Sequence, residues 1–149
     1  MRRLTISVDD DLADTFDKLV HDKGYENRSE AFRDLVRQAL GEASLQNDSA
    51  KYCVGALSYV YNHHERQLAS RLTGMQHDHH DLAVSTMHAH LDHENCLETV
   101  ILRGPTQAVL KFADAVKAQP GVRHGNFYPI PIELEAPSRR KHVHAKPAT

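Results

Sequence analysis

The stretch STMHAHLDHENCLE, Ser85 to Glu98, carries three histidines and one of the two cysteines in the chain. Imidazole nitrogen and thiolate sulfur are donors for divalent metals at the softer end: zinc, copper and nickel. Their spacing favours convergence. If Leu82–Asp92 is a strand, its side chains alternate, and Leu82, Val84, Thr86, His88 and His90 share one face. A turn through LDHEN returns the chain. With His90 opposite Cys96, His88 falls opposite Glu98 and all four lie on that face. Two imidazoles and one sulfur then meet, with a carboxylate behind them. Three protein ligands leave a fourth position, for water in a catalytic site or for a further side chain in a closed one. The neighbouring QHDHHD offers His77, His79 and His80. Of the 12 histidines, six (His77, His79, His80, His88, His90 and His93) fall within 17 residues. A single histidine on a strand is ordinarily packed or solvated; a His-x-His pair with a nearby cysteine is a donor set. Cys53, alone in an apolar run, reads as a small core residue.

The elements needed to position these donors are legible in the same half of the chain. The order is strand (Tyr52–Tyr61), helix, strand (Leu82–Asp92), strand (Cys96–Arg103), helix, strand, which is the ferredoxin-like arrangement. The first of these helices is expected to start at Asn62 and Glu65, at capping-box spacing, with Leu68, Leu72 and Met75 on one face. The second has Pro105 at its first turn, then Val109, Phe112, Ala113 and Val116, and stops at QPG. The last strand, VRHGNFYPIPIEL, contains Pro129 and Pro131 and is thereby confined to a sheet edge or end. The open face of such a sheet commonly associates with another copy.

The N-terminal third follows a different pattern. RRLTISVDD alternates, with Leu4, Ile6 and Val8 on one face and Arg3, Thr5 and Ser7 on the other. Two helical stripes follow: Leu12, Phe16, Leu19 and Val20 before Gly24, then Ala31, Phe32, Leu35, Val36, Ala39 and Leu40 before Gly41. Asn27 and Glu30 open the second at capping-box spacing. A strand–helix–helix unit of about 44 residues has one unpaired strand and is marginal alone, so its strand must pair with that of another copy. Two such strands form a ribbon that fits the DNA major groove. Arg3, Thr5 and Ser7 then point at base edges, and Arg28 and Ser29 sit at a helix start suited to a phosphate.

Composition sets outer limits. The chain has 149 residues, 40% hydrophobic and 26% charged, with a net charge of −2. Overall charge therefore gives no argument for nucleic acid, and the local geometry has to carry it. The longest apolar run, YCVGALSYVY, is far short of the ~20 residues of a membrane span. With no signal-peptide pattern and two cysteines, a reduced, cytoplasmic protein without a disulfide framework is expected. The domain reading is 1–44 for the strand–helix–helix unit, 45–51 for a linker within the polar stretch EASLQNDSAK, 52–134 for the ferredoxin-like unit, and 135–149 for a disordered basic tail.

The segments RLTISVDDDL, GYENRSEAFRDLVR, LSYVYNH, QHDHHDLAVSTMHAHLDHENCLE and GVRHG together resemble the nickel-responsive transcriptional regulators of the NikR family. The similarity runs from about Arg3 to Tyr128. The resemblance implies an α+β chain, with a dimeric ribbon-helix-helix DNA-binding domain joined to a ferredoxin-like, ACT-type βαββαβ domain. It implies a square-planar Ni(II) site, one per subunit, made by His88, His90 and Cys96 of one chain and His77 of a neighbour in a homotetramer, a dimer of dimers. Tyr61, Gln76 and Glu98 match positions that surround that site. Glu30 and Asp34, i and i+4 on one helix, match residues that hold a second cation, such as potassium, between domains. The implied partner is double-stranded DNA with a palindromic operator, and the implied role is repression of nickel-uptake genes, without catalysis. Ser7 stands where the family often has Thr, and Asp78 interrupts a run that is often all histidine. Two other classes are compatible with parts of the sequence. One is a metal-independent, antitoxin-like ribbon-helix-helix repressor; the other is a metalloenzyme with an open fourth coordination site.

Overall fold

A computed structural model describes residues 2–135 and 143–149. The chain divides into two compact units, residues 1–40 and 41–149. In the first, helix α1 spans Asp10–Asp22 and helix α2 begins at Arg28 and runs to Gln46. The Asp9 carboxylate caps α1 by accepting from the Leu12 N–H at 2.9 Å, and Asp10 and Asp11 sit in the first turn, where the helix dipole favours negative charge. Gly24, at φ +72°, takes the left-handed conformation that ends α1. Asn27 caps α2 as the sequence predicts, its Oδ1 accepting from Glu30 N–H at 3.0 Å.

Residues 2–9 form no strand within the single chain, and Leu4, Ile6 and Val8 are 65%, 59% and 51% exposed. A lone alternating segment has no ladder to join. Ile6, Val8, Leu12, Phe16, Phe32, Leu35, Val36 and Ala39 line one open apolar groove in this unit.

Helix α2 does not stop at Gly41. One glycine costs about 1 kcal/mol in a helix, and the residues that follow, through Leu45, are helix-compatible. Leu45 packs against the core of the second unit, and the helix gives way at Asp48, which has φ 55°. The first half of the polar stretch, as far as Gln46, is therefore helical.

The second unit is an antiparallel sheet in the order β2-β3-β1-β4-β5. Its strands are β1 Tyr52–Asn62, β2 Ala83–His90, β3 Asn95–Pro105, β4 Arg123–Leu134 and β5 Ala145–Pro147. Helices α3 (Arg66–Asp78) and α4 (Thr106–Lys117) complete the βαββαβ order. Alternation along β1 buries Cys53, Leu57, Tyr59 and Tyr61, which pack with Val100 and Leu102 of β3, Leu68 and Leu72 of α3, and Val109, Phe112 and Val116 of α4. Gly55 lies in that buried row because nothing larger fits: a Cβ there would stand 2.3 Å from the Tyr128 carbonyl oxygen.

Three local expectations are corrected. Helix α3 starts at Arg66, because β1 runs through Asn62, whose side chain accepts from His64 N–H at 2.9 Å and caps a turn instead. An irregularity between Ala83 and Ser85 takes the exposed Val84 out of the row that leads to His88 and His90. The third concerns the C-terminal tail, of which residues 136–142 lie outside the described residues. Beyond them, β5 pairs Ala145 with Leu134 and Pro147 with Ile132, so this end of the basic stretch is a short strand on the outer side of β4.

Candidate metal centre

Three strand ends meet at one end of the sheet. The register places His90 opposite Cys96 and His88 opposite Glu98, the pairing that the sequence predicts. Cys96 is also opposite Tyr61 of β1, and the chain beyond that strand brings in His63. Cys96 Sγ lies 3.3 Å from His90 Nδ1 and 3.2 Å from His63 Nδ1. The donor atoms of His63, His90 and Cys96 all fall within 4.8 Å of one another. The sulfur is buried, His63 half-buried and His90 exposed, so the set opens outward. Two imidazoles and a thiol are a donor set for a borderline-soft divalent ion such as nickel, copper or zinc.

His88 stands against Glu98, as the register requires. Its Nε2 is 2.9 Å from Glu98 Oε2, and its ring is edge-on to Tyr61 with centroids 6.4 Å apart. Glu98 is only 3% exposed. A buried carboxylate needs donors, and this one has four. Tyr59 Oη donates to Oε1 at 2.5 Å, Tyr61 Oη to Oε2 at 3.2 Å and Gln76 Nε2 to Oε1 at 2.5 Å; His88 is the fourth. Thr86 Oγ1 in turn donates to Gln76 Oε1 at 2.7 Å, tying the end of α3 to β2. Burial and the neighbouring carboxylate push the Tyr61 phenol up to about 12, and the same two causes raise Tyr59 further. Both phenols therefore stay protonated donors at neutral pH. With its Nε2–H given to Glu98, a neutral His88 keeps the Nδ1 lone pair, the arrangement by which carboxylates orient metal-binding imidazoles.

His77 lies in the last turn of α3, exposed, and is not one of the three clustered donors. The rings of its neighbours are engaged locally: His79 Nδ1 lies 3.0 Å from the Met75 carbonyl oxygen, and His80 Nδ1 lies 3.2 Å from that of His77. Sequence reasoning missed His63 and Tyr59. The signal was available, since Tyr59, Tyr61 and His63 continue one alternation from the buried face of β1.

The remaining candidates lie in the first unit. Arg28 makes a bidentate ion pair with Asp17 of α1, which holds the Asp17 carboxyl below its usual range. Asp34 Oδ2 accepts from Tyr25 Oη at 2.5 Å, and Glu30 pairs with Arg33. Arg3, Thr5, Ser7 and Ser29 are exposed.

A ferredoxin-like sheet with a nitrogen-and-sulfur donor cluster at its rim, preceded by a two-helix unit, defines a two-module chain with a candidate metal centre. Residues 54–130 match the model of the NikR C-terminal nickel-binding domain, and residues 2–43 match that of the ribbon-helix-helix proteins of the copG family. A putative nickel-responsive regulator of Brucella ovis is 50% identical over 132 residues, 89% of this chain and 100% of its own length. A nickel-responsive regulator of Brucella suis biovar 1 is equally similar, and one of Brucella melitensis biotype 1 is 49% identical over the same length. The chain belongs to the NikR family of nickel-responsive transcriptional regulators, which are not enzymes. No described helix is long and apolar enough to cross a membrane.

Proposed function

We propose that this chain is a nickel-dependent repressor that binds a palindromic operator in double-stranded DNA and controls nickel-uptake genes. The observation that carries the reading is the buried sulfur of Cys96 flanked by imidazoles, within a domain that matches the family's nickel-binding module. In the working state, His88, His90 and Cys96 of one chain, with His77 of the partner subunit, hold one Ni(II) per subunit in a plane. Planar nitrogen-and-sulfur coordination suits Ni(II) or Cu(II) and disfavours zinc. Glu98 keeps His88 in the required tautomer, and Tyr61 and Gln76 keep Glu98 in place.

The supply of His77 from another subunit makes the site complete only in an assembly, a homotetramer built as a dimer of dimers. The exposed Leu4, Ile6 and Val8 and the apolar groove beside them support pairing of two N-terminal segments into a ribbon. Arg3, Thr5 and Ser7 then read base edges, and Ser29 with the free N–H groups of α2 meets a phosphate. Arg28 reaches DNA only by leaving Asp17. Glu30 and Asp34 form the proposed second-cation site, where a bound cation replaces Arg33 and the Tyr25 hydroxyl as partners. The metal acts as an effector by linkage: the loaded form binds DNA more tightly, and DNA raises metal affinity by the same factor.

An absorption titration with Ni(II), run beside DNA-binding measurements with and without chelator, tests this. A thiolate-to-nickel charge-transfer band should saturate at one ion per chain and disappear in Cys96→Ala. His77→Ala should shift or abolish it. DNA binding indifferent to chelator would make the chain a metal-independent repressor instead.

A further inference from the structure

We propose that the outer edge of β4 is a strand-addition surface for a second copy of this chain, and that β5 is the segment that keeps it closed.

Ala145, Lys146 and Pro147 of β5 are all exposed, so their burial stabilises little. The match to the nickel-binding module ends at residue 130, before this strand begins. β5 is therefore an addition to the module rather than part of its frame. What it contributes is main-chain pairing: Ala148 N–H donates to the Pro131 carbonyl oxygen and Glu135 N–H to that of His144, both at 2.9 Å. Lys146 stands opposite Glu133 and forms an ion pair with Glu135.

Parity shows what β5 covers. In an antiparallel strand the N–H and C=O of one residue point to one side, and those of the next to the other. These bonds put the main chain of Pro131, Glu133 and Glu135 on the outer side of β4, with Pro129 one step further along that side. Neither proline has an N–H to offer, so the edge is blunt from Pro131 back to Pro129. Glu133 and Glu135 keep their donors, and β5 lies over both. By the same parity His144, Lys146 and Ala148 face β4, whereas Ala145 and Pro147 face outward. Pro147 lacks an N–H as well. β5 thus replaces a pairable edge with one whose three residues present a single outward donor, that of Ala145.

A second β4 fits the same edge. An antiparallel copy centred on Glu133 brings a Glu135 N–H to the Pro131 carbonyl and a Pro131 carbonyl to the Glu135 N–H. These are the bonds that Ala148 and His144 make with β4. The contact is isologous, each edge giving what the other takes. Its weakness is charge, because Glu133 would face the partner subunit's Glu133, and like charges directly opposite are destabilising. Lys146 holds that position with the opposite sign. β5 is also tethered to the edge it covers, which gives it a high effective concentration. The chain's own strand therefore prevails over a copy for as long as it is present.

The test compares the full chain with one truncated after Glu135, by sedimentation velocity over a range of concentrations. The full chain should keep one mass. The truncated chain should gain mass with concentration, by at least about two-fold. Glu133→Pro in the truncated chain removes an outward donor while sparing the ladder to β1, and should restore the mass of the full chain. A truncated chain that associates because it is misfolded would not be rescued in this way. In the intact protein the Glu135 and Ala148 amides should exchange with solvent more slowly than in an unstructured peptide, and Lys146→Pro should release both. Unchanged mass on truncation would overturn the proposal. So would a gain in mass that Glu133→Pro leaves in place, or unprotected exchange at both amides in the intact protein.

Discussion

In the proposed metal site, Glu98 acts through His88 rather than on the metal itself. Its carboxylate is buried and accepts from two phenols, an amide and an imidazole. Glu98→Gln keeps the shape but removes the charge that holds the His88 N–H, so Ni(II) affinity should fall by about 10- to 100-fold, measured by chelator competition. Tyr61 gives a pH signature. Its phenol is raised to about 12 by burial and by Glu98, so between the unfolded value and that one the folded state holds a proton that the unfolded state has lost. The stabilising contribution is full below the unfolded pKa and disappears as pH rises through about 12. Urea unfolding of the metal-free chain should weaken over that window, less steeply in Tyr61→Phe; identical slopes would remove Tyr61 from the account. At this scale the sequence revealed the pairing of His88 with Glu98 and of His90 with Cys96, because parity and register follow from alternation alone. It missed His63, which stands just past the strand end, where alternation was not extended.

At the scale of elements, the sheet and its two helices exist to hold three strand ends at a fixed spacing. Leu57 lies at the centre of that layer, fully buried between β3 and the helices. Leu57→Ala should cost about 2–5 kcal/mol of stability, read from the midpoint of denaturant unfolding. Gly55→Ala should disrupt the β1–β4 pairing more severely than its size suggests, since the added carbon meets backbone oxygen. The helix stripes and strand order were legible because each has its own period. The end of α2 and the start of α3 were not. Gly41 is a weak stop when good helix formers follow, and Asn62 was already committed to the ladder with β3. The pairing of β5 with β4 was equally hidden, since a basic composition says nothing about a free sheet edge nearby.

For the whole molecule, the proposed function depends on surfaces that one chain leaves exposed. Arg3→Ala should cost about 1–3 kcal/mol of discrimination for its operator base pair, measured by competition with mutated sites. Arg28→Ala should act differently, loosening α1 from α2 through loss of the Asp17 pair, and so lowering stability as well as DNA affinity. Metal-loaded DNA binding should fall steeply with salt, about 10³- to 10⁵-fold between 50 and 200 mM if six to ten phosphates are neutralised. A flat salt response would leave the ribbon without a phosphate footprint.

The sequence by itself determined the two modules, their α+β layers, the donor types and the face on which His88, His90, Cys96 and Glu98 stand, because these follow from residue chemistry and from periods of two and 3.6. Only the tertiary structure decided which imidazoles face the sulfur. That choice depends on where β1 ends beside β3, and on the buried charge of Glu98, which draws the His88 ring toward itself while His63 closes on Cys96. Periodicity fixes which way a side chain points; the distance between ends of separate strands is set by the packing of the whole sheet.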